Sequence, residues 1–497
     1  MEHFDVIIVG AGISGVGAAH HLLKHCPSKT FAILEAREEM GGTWDLFRYP
    51  GIRSDSDMFT LGYGFHPWRE PKVIADGPSI KSYVNATARE YGIDRHIRFS
   101  TRVDAIAFDS ATGRWTVTAK TPDGERRLTC GFLWMCSGYY RYSEGYTPDF
   151  PGADKFRGRI IHPQLWPEDL DYSGKRVVVI GSGATAVTLI PSMTDKAAHV
   201  TMLQRSPSWF FSLPQNSSAA EALAKVLPRA LAYRLVRWYR IVFQQIMYKM
   251  IRANPEKAGE RLLNLVREQL PAGYDVEKHF RPRYNPWDQR LCVVPDGDLF
   301  KAISAGKASV ETDEIAAFVE NGVRLKSGKT LEADIIITAT GLSLEAMGGA
   351  KASVDGRAVN LGETFTYRGF ACSGLPNLAF VFGYTNSSWT LRADLISHYV
   401  CRLINFMDRN GYDIATPVND DPGLKAEPFL NLNSGYILRA AERLPKQGDR
   451  DPWRNPQSYF RDIAILKFGR IDDGVMRFSK ASATAAMARP AVAAAAE

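Results

Sequence analysis

The chain has 497 residues, 45% of them hydrophobic, with 61 basic and 54 acidic side chains. That length allows two or three domains with sizeable cores, and the absence of any run of about 18 apolar residues argues against a transmembrane helix. The net charge of +7 does not indicate a nucleic-acid protein: seven basic residues and no acid lie between Ala222 and Pro255, and the rest of the chain is balanced.

The N-terminus, MEHFDVIIVG, has no basic stretch before its apolar run, so no secretory signal is expected. Six cysteines (Cys26, Cys130, Cys136, Cys292, Cys372, Cys401) show no C-x-x-C and no metal spacing. They read as scattered thiols in a reducing cytoplasm, with no metal site and no disulfide redox pair.

Residues 4–9 form an apolar strand pattern. Gly10-Ala11-Gly12-Ile13-Ser14-Gly15 and a helix pattern to about residue 25 follow, then the apolar run Phe31–Leu34, ending at Glu35. Glycines let the backbone turn tightly against a pyrophosphate, the helix N-terminus offers free N–H groups, and the acid bonds ribose hydroxyls. Next comes a Gly/Pro-rich loop from Gly41 to Asp55. Residues 97–103, 115–119 and 126–130 alternate like antiparallel strands, with turns at Thr112-Gly113 and Asp123-Gly124. A strand then ends in Ser137-Gly138, where the chain is expected to return to the first nucleotide site.

A second apolar run, Arg176–Ile180, breaks into Gly181-Ser182-Gly183-Ala184-Thr185-Ala186-Val187. Its partner strand, residues 200–203, ends in Gln204-Arg205-Ser206 rather than in an acid. An acid there would repel a 2′-phosphate, whereas the Arg205 guanidinium and Ser206 hydroxyl bind one. The first fold is therefore expected to hold FAD and the second NADPH. Residues 215–280 read as a helical insertion, with Pro228 at a helix start. Its basic and aromatic positions suit either a membrane-surface helix or a cover over the substrate pocket. Residues 284–300 read as loop and turn. Ile335–Thr338 closes the second fold, residues 378–382 close the first, and the Ala-rich residues 481–497 read as a disordered tail.

Two motifs frame this plan. Phe156, Gly158, His162, Trp166 and Pro167 fill F-x-G-x-x-x-H-x-x-x-W-P, and Gly41, Gly42, Trp44, Tyr49, Pro50, Gly51 and Asp55 fill [AG]-G-x-W-x-x-x-x-[FY]-P-[GM]-x-x-x-D. Both resemble the fingerprints of the flavin-dependent Baeyer–Villiger monooxygenases, and the likeness extends to about residue 480. It is strongest toward a mycobacterial branch that oxidises thioamides. The resemblance implies an α/β protein of two Rossmann-like folds, the NADPH fold (149–213 and 284–374) inserted in the FAD fold (1–148 and 375–480), with residues 214–283 covering the pocket.

The resemblance further implies that Gly42, Thr43, Trp44, Asp45, Leu46 and Val103 join Gly10, Gly12, Ser14, Gly15 and Glu35 at FAD. Arg53, Ser54 and Asp55 would serve NADPH, and Asp55 would also lie by the flavin. The reaction develops negative charge on oxygen, which needs a permanent cation. Arg290 occupies the family's catalytic position, with Asp55 to orient it. Where relatives often carry a lysine before this arginine, Gln289 stands here. O2 and small ketones or sulfur compounds are the implied reactants. Two other readings stay open: a flavin monooxygenase acting mainly on sulfur or nitrogen, and a non-catalytic flavoprotein redox sensor.

Overall fold

A computed structural model describes residues 1–70, 72–216, 225–289, 291–430 and 432–482. Arg290 and all but the first two residues of the 481–497 tail lie outside the described residues.

The first sheet has nine strands and two characters. Its parallel part comprises, in spatial order, Ile97–Arg98, Phe31–Leu34, Glu2–Val9, Gly124–Met135 and Leu378–Phe380. Numbered along the chain, that order is 3-2-1-4-5, the arrangement of a doubly wound nucleotide fold. Gly124–Met135 is long enough to serve twice. Its second half sits in the parallel part, and its first half pairs antiparallel with Arg114–Thr121, which pairs with Arg102–Asp109. Residues 97–103 are thus not one antiparallel strand. Ile97–Arg98 runs parallel to Phe31–Leu34, the chain turns at Ser100 with φ 50°, and the antiparallel unit begins at Arg102.

The second sheet is wholly parallel, in the order Ala308–Thr312, His199–Gln204, Arg176–Ile180, Ile335–Thr338, Arg159–Ile161. Such a sheet is covered on both faces, which is why its central strands read as continuous apolar runs. Val177, Val178 and Val179 are buried, as are all four residues of Ile335–Thr338. The chain rejoins the first sheet before residue 375, because Lys351–Val354 already pairs with Arg102–Asp109. The expected loop at 284–300 contains a strand, Cys292–Pro295, parallel to Phe210–Leu213, and the helix Asp298–Ser304.

Helix Ile13–His25 buries Val16, Ala18, Ala19 and Leu22 in one core with Ile396, Val400 and Leu403 of helix Trp389–Asn410. Each large side chain so buried contributes about 1.5–3 kcal/mol, which fixes the first glycine turn to a rigid base.

In the insertion, Pro228 caps helix Arg229–Ala253 from one position outside it. That helix lies on the first fold: Tyr233 and Arg237 donate to the Phe59 carbonyl, and Gln244 donates to Asp57 (2.8 Å). The next helix, Pro255–Arg267, packs Leu262, Leu263 and Val266 into the core of the second fold. The insertion spans both folds.

Candidate active site

A cleft of about 890 Å³ lies between the two sheets. Gly10, Gly12, Ser14, Glu35, Gly42, Thr43, Trp44 and Val103 line it from the first fold, and Gly181, Ser182, Gly183, Ala184, Thr185, Arg205 and Ser206 from the second. Arg53, Ser54 and Asp55 lie on the same wall. Gly15, Asp45, Leu46, Ala186 and Val187 are buried and do not line it. No lining residue comes from 209–283, but the insertion reaches the cleft's edge, where the Ser387 hydroxyl of the wall donates to Gln244 (3.0 Å).

Both glycine turns leave donors free. Gly12 and Gly183 cap their helices in extended backbone without a side-chain hydrogen bond, so the first-turn N–H groups are available to an anion. A Cβ on Gly183 would meet nothing within 4 Å, so the turn faces open space. A Cβ on Gly15 would lie 1.9 Å from the Gly10 carbonyl oxygen, so only glycine lets the helix close on its own turn. These features fit phosphate groups.

Glu35 accepts from the Ala11 N–H (2.7 Å) and the Arg37 N–H (2.9 Å). Burial is the largest influence on its pKa and raises it, although the two N–H groups and the Arg37 charge oppose the rise. The acid therefore holds the turn as well as facing the cleft. Asp45 is buried between Arg37 (2.5 Å) and Lys81 (2.7 Å). Burial raises its pKa, but the two cations outweigh burial and hold the carboxyl below its ordinary value. Arg53 forms a two-pronged pair with Asp298.

In the second fold, Gln204 is buried and donates to the His279 carbonyl (2.7 Å) and the Thr312 hydroxyl (2.9 Å). Arg205 and Ser206 are exposed beyond it. The Ser182 hydroxyl donates to the Ser206 carbonyl (3.1 Å), which ties the second glycine turn to that strand end.

Phe156, Gly158, His162, Trp166 and Pro167 stand at the joint between the folds and not in the cleft wall. A Cβ on Gly158 would lie 2.2 Å from the Asp334 carbonyl oxygen and 2.6 Å from the Phe156 ring, which accounts for the F-x-G spacing. Trp166 packs on the second fold's core. His162 Nδ1 accepts from the Gln164 N–H (3.2 Å), so Nε2 carries the proton and donates to the Gly341 carbonyl (3.0 Å). Burial lowers its pKa, against the opposing pull of that carbonyl. His162 is thus a neutral tie between a second-fold segment and the chain's return to the first.

Gln289 and Leu291, the chain neighbours of Arg290, both line the cleft. The nearby carboxylates already have partners: Asp288 accepts from Arg252 (2.6 Å) and Asp296 from the Gln215 N–H (3.1 Å).

Sequence reasoning missed an aromatic wall of the cleft. Tyr139 and Trp389 stack at 5.1 Å and 12°, Tyr139 and Tyr140 share a hydroxyl hydrogen bond (2.6 Å), and Trp389 Nε1 donates to the Ser14 hydroxyl (2.7 Å). The two tyrosines directly follow Ser137-Gly138, the strand end already expected at the cofactor, and that adjacency was the available signal. Among the described residues no group of three side chains suits a metal ion.

A model of the flavin-binding monooxygenase-like family matches residues 67–347, and one of the NAD(P)-binding Rossmann-like domain matches residues 8–85. The chain belongs to the flavin-binding monooxygenase-like family. This flavin-binding monooxygenase is 56% identical over 482 residues to the FAD-containing monooxygenase EthA of Mycobacterium tuberculosis, covering 96% of this chain and 98% of the relative. It is 54% identical to the EthA of Mycolicibacterium smegmatis, again covering 96% and 98%. Among solved structures, its fold is similar to a steroid monooxygenase bound to NADP (TM-score 0.76, 21% identity, 96% and 100% covered). It is also similar to an open form of cyclohexanone monooxygenase (TM-score 0.73, 21% identity, 84% and 91% covered).

Proposed function

We propose that this flavin-binding monooxygenase is an FAD- and NADPH-dependent enzyme of the Baeyer–Villiger type. It inserts one oxygen atom of O2 beside a ketone carbonyl to give an ester or lactone, and it also oxygenates sulfur in sulfides and thioamides. The observation that carries this reading is one cleft walled by both glycine turns, with the F-x-G-x-x-x-H-x-x-x-W-P segment at the joint between them.

When bound, NADPH supplies a hydride to FAD, and the reduced flavin activates O2. The chain's own residues bind, orient and shield. Gly10, Gly12 and the N–H groups behind them hold the FAD pyrophosphate, and Glu35 fixes that turn and bonds the ribose. Gly181 to Thr185 hold the NADPH pyrophosphate, with Arg205 and Ser206 on the 2′-phosphate. Tyr139, Tyr140 and Trp389 keep water from the reacting face. Arg290, oriented by Asp55, holds negative charge as it develops on the substrate oxygen.

The test is Arg290→Ala. A donor of this kind is worth about 3–4 kcal/mol, or roughly a hundredfold to a thousandfold in rate. Ester formation should fall by that factor, while FAD content and NADPH-driven flavin bleaching persist. Lysine keeps the charge but not the planar fork, so Arg290→Lys should also be poor. Ester at near wild-type rate from Arg290→Ala would remove the assignment.

Among the described residues no helix is long and apolar enough to cross a membrane. For segment 222–255 we propose contact with an anionic membrane surface, which would place a cytoplasmic enzyme at the bilayer periphery. On helix Arg229–Ala253, Trp238, Tyr239, Ile246 and Met250 are 49%, 63%, 51% and 59% exposed, and the segment carries no acid. Arg252 and Arg237 are paired with Asp288 and Asp394, but exposed apolar anchors on a segment with an excess of basic residues still suit an interfacial helix. Co-sedimentation with phosphatidylglycerol vesicles at low salt, weakened at high salt, is the expected outcome. No sedimentation at low salt would dismiss the contact.

A further inference from the structure

Arginines in the cleft wall differ in how they are held. Arg37, Arg53 and Arg102 each pair with a carboxylate: Asp45, Asp298 and Asp104. Arg205 stands at the second glycine turn. Arg439 has no ion pair with a described carboxylate, and its guanidinium carbon lies 3.4 Å from the centroid of the Tyr146 ring.

That ring marks a particular place. The chain leaves the first fold through Tyr140–Gly145 and returns through Leu342–Leu344, and these segments pair as an antiparallel ribbon. At its end the Tyr146 N–H donates to the Gly341 carbonyl (3.1 Å), and the Thr340 hydroxyl donates to the Tyr146 carbonyl (2.6 Å). His162 donates to the same Gly341 carbonyl. Arg439 covers this junction from a third segment, just after the short helix Gly435–Leu438. A Cβ at Gly341 would lie 3.5 Å from one of its amino nitrogens, and a Cβ at Gly435 would lie 3.3 Å from the other. The guanidinium is therefore seated between two glycines and a ring, with Gly341, Gly435 and Arg439 all in the cleft wall.

We infer that Arg439 is a positioning residue: through the Tyr146 ring it fixes the two-strand joint, and with it the placement of the second fold over the first during oxygenation. The inference rests on the monooxygenase reading above. Loss of the joint's geometry exposes the reduced enzyme to water before substrate is engaged. The two outcomes differ in where one oxygen atom goes. Coupled turnover converts NADPH, H⁺, O2 and ketone into NADP⁺, ester and water. Uncoupled turnover converts NADPH, H⁺ and O2 into NADP⁺ and hydrogen peroxide. Both consume two electrons from NADPH, so NADPH loss alone cannot tell them apart.

The experiment compares holoenzyme carrying Arg439→Ala, Arg439→Lys, Tyr146→Leu and the double variant Arg439→Ala with Tyr146→Leu. Ester, peroxide and NADPH loss are measured together with a ketone that the wild type accepts, after FAD content is checked by absorbance. A cation–π contact of this kind corresponds to roughly a twofold to thirtyfold effect. The ester-to-peroxide ratio should fall by that factor in Arg439→Ala and in Tyr146→Leu, fall no further in the double variant, and recover in part with Arg439→Lys. The KM for NADPH should stay within about twofold. A wild-type ratio in Arg439→Ala, losses that multiply in the double variant, or loss of FAD in all four variants would each overturn the role. If the wild type itself forms no ester from any ketone, it is the Baeyer–Villiger reading that fails. Wild-type ester with unchanged variants removes the joint role alone.

Discussion

At the scale of single residues, the cleft wall divides into glycine turns that offer backbone N–H groups and side chains that carry charge. The first kind was legible in the sequence, because a glycine turn between a strand and a helix has few other uses. The second kind is legible where charge type carries meaning. Arg205 and Ser206 end a strand where a 2′-hydroxyl reader would carry an acid, and both line the cleft. Arg205→Ala should raise the KM for NADPH and leave that for NADH almost unchanged. One charge-assisted contact is worth about 1.5–3 kcal/mol, roughly tenfold to over a hundredfold. Steady-state kinetics with both cofactors checks this, and equal losses with both would reduce Arg205 to a structural part. Arg439 and the Tyr139–Trp389 stack were not legible. Trp389 is 250 residues from Tyr139 in the chain, and only the meeting of helix Trp389–Asn410 with the first fold brings them together.

At the scale of elements, the three central strands of the second sheet were read, since strands buried on both faces leave continuous apolar runs, whereas its half-buried edge strands Arg159–Ile161 and Ala308–Thr312 were not. The region 97–103 was misread because local alternation does not reveal the partner strand. The insertion was read as helical, but which fold each of its helices packs on was not legible, because an apolar stripe does not name its partner. Helices Ile13–His25 and Trp389–Asn410 also carry a pH response. His20 stacks on Phe65 (3.5 Å, 4°) and His25 meets His398 at 5.7 Å. Burial first, then neighbouring positive groups (His21 and Lys24 for His20; His25 and His21 for His398), push His20 and His398 down to about 4, although Asp394 pulls His20 the other way. Both rings fold neutral. Their contribution is complete above the ordinary value near 6.5 and is lost as pH falls from there toward 4. Thermal unfolding should therefore show a Tm that declines over this window, and replacing both histidines by phenylalanine should flatten the decline. An unchanged slope in the double variant would assign the acid sensitivity to other groups.

At the scale of the whole molecule, two nucleotide folds share one cleft, joined by a two-strand ribbon over which His162 and Arg439 sit from different segments. Fold class and cofactor pairing were readable from the sequence because each fold repeats the same strand, turn and helix. The geometry of the joint was not, because it depends on where Gly341 and Tyr146 meet across the inserted fold. The central claim is that this cleft delivers one oxygen atom from O2 to carbon beside a carbonyl. Its most direct test is turnover of a simple ketone with NADPH under ¹⁸O2, with the product analysed by mass spectrometry. An ester or lactone carrying a single ¹⁸O atom, formed with one NADPH consumed, is the expected result. Unreacted ketone alongside full conversion of a sulfide to its ¹⁸O-sulfoxide, or no oxygenated product at all, would contradict it.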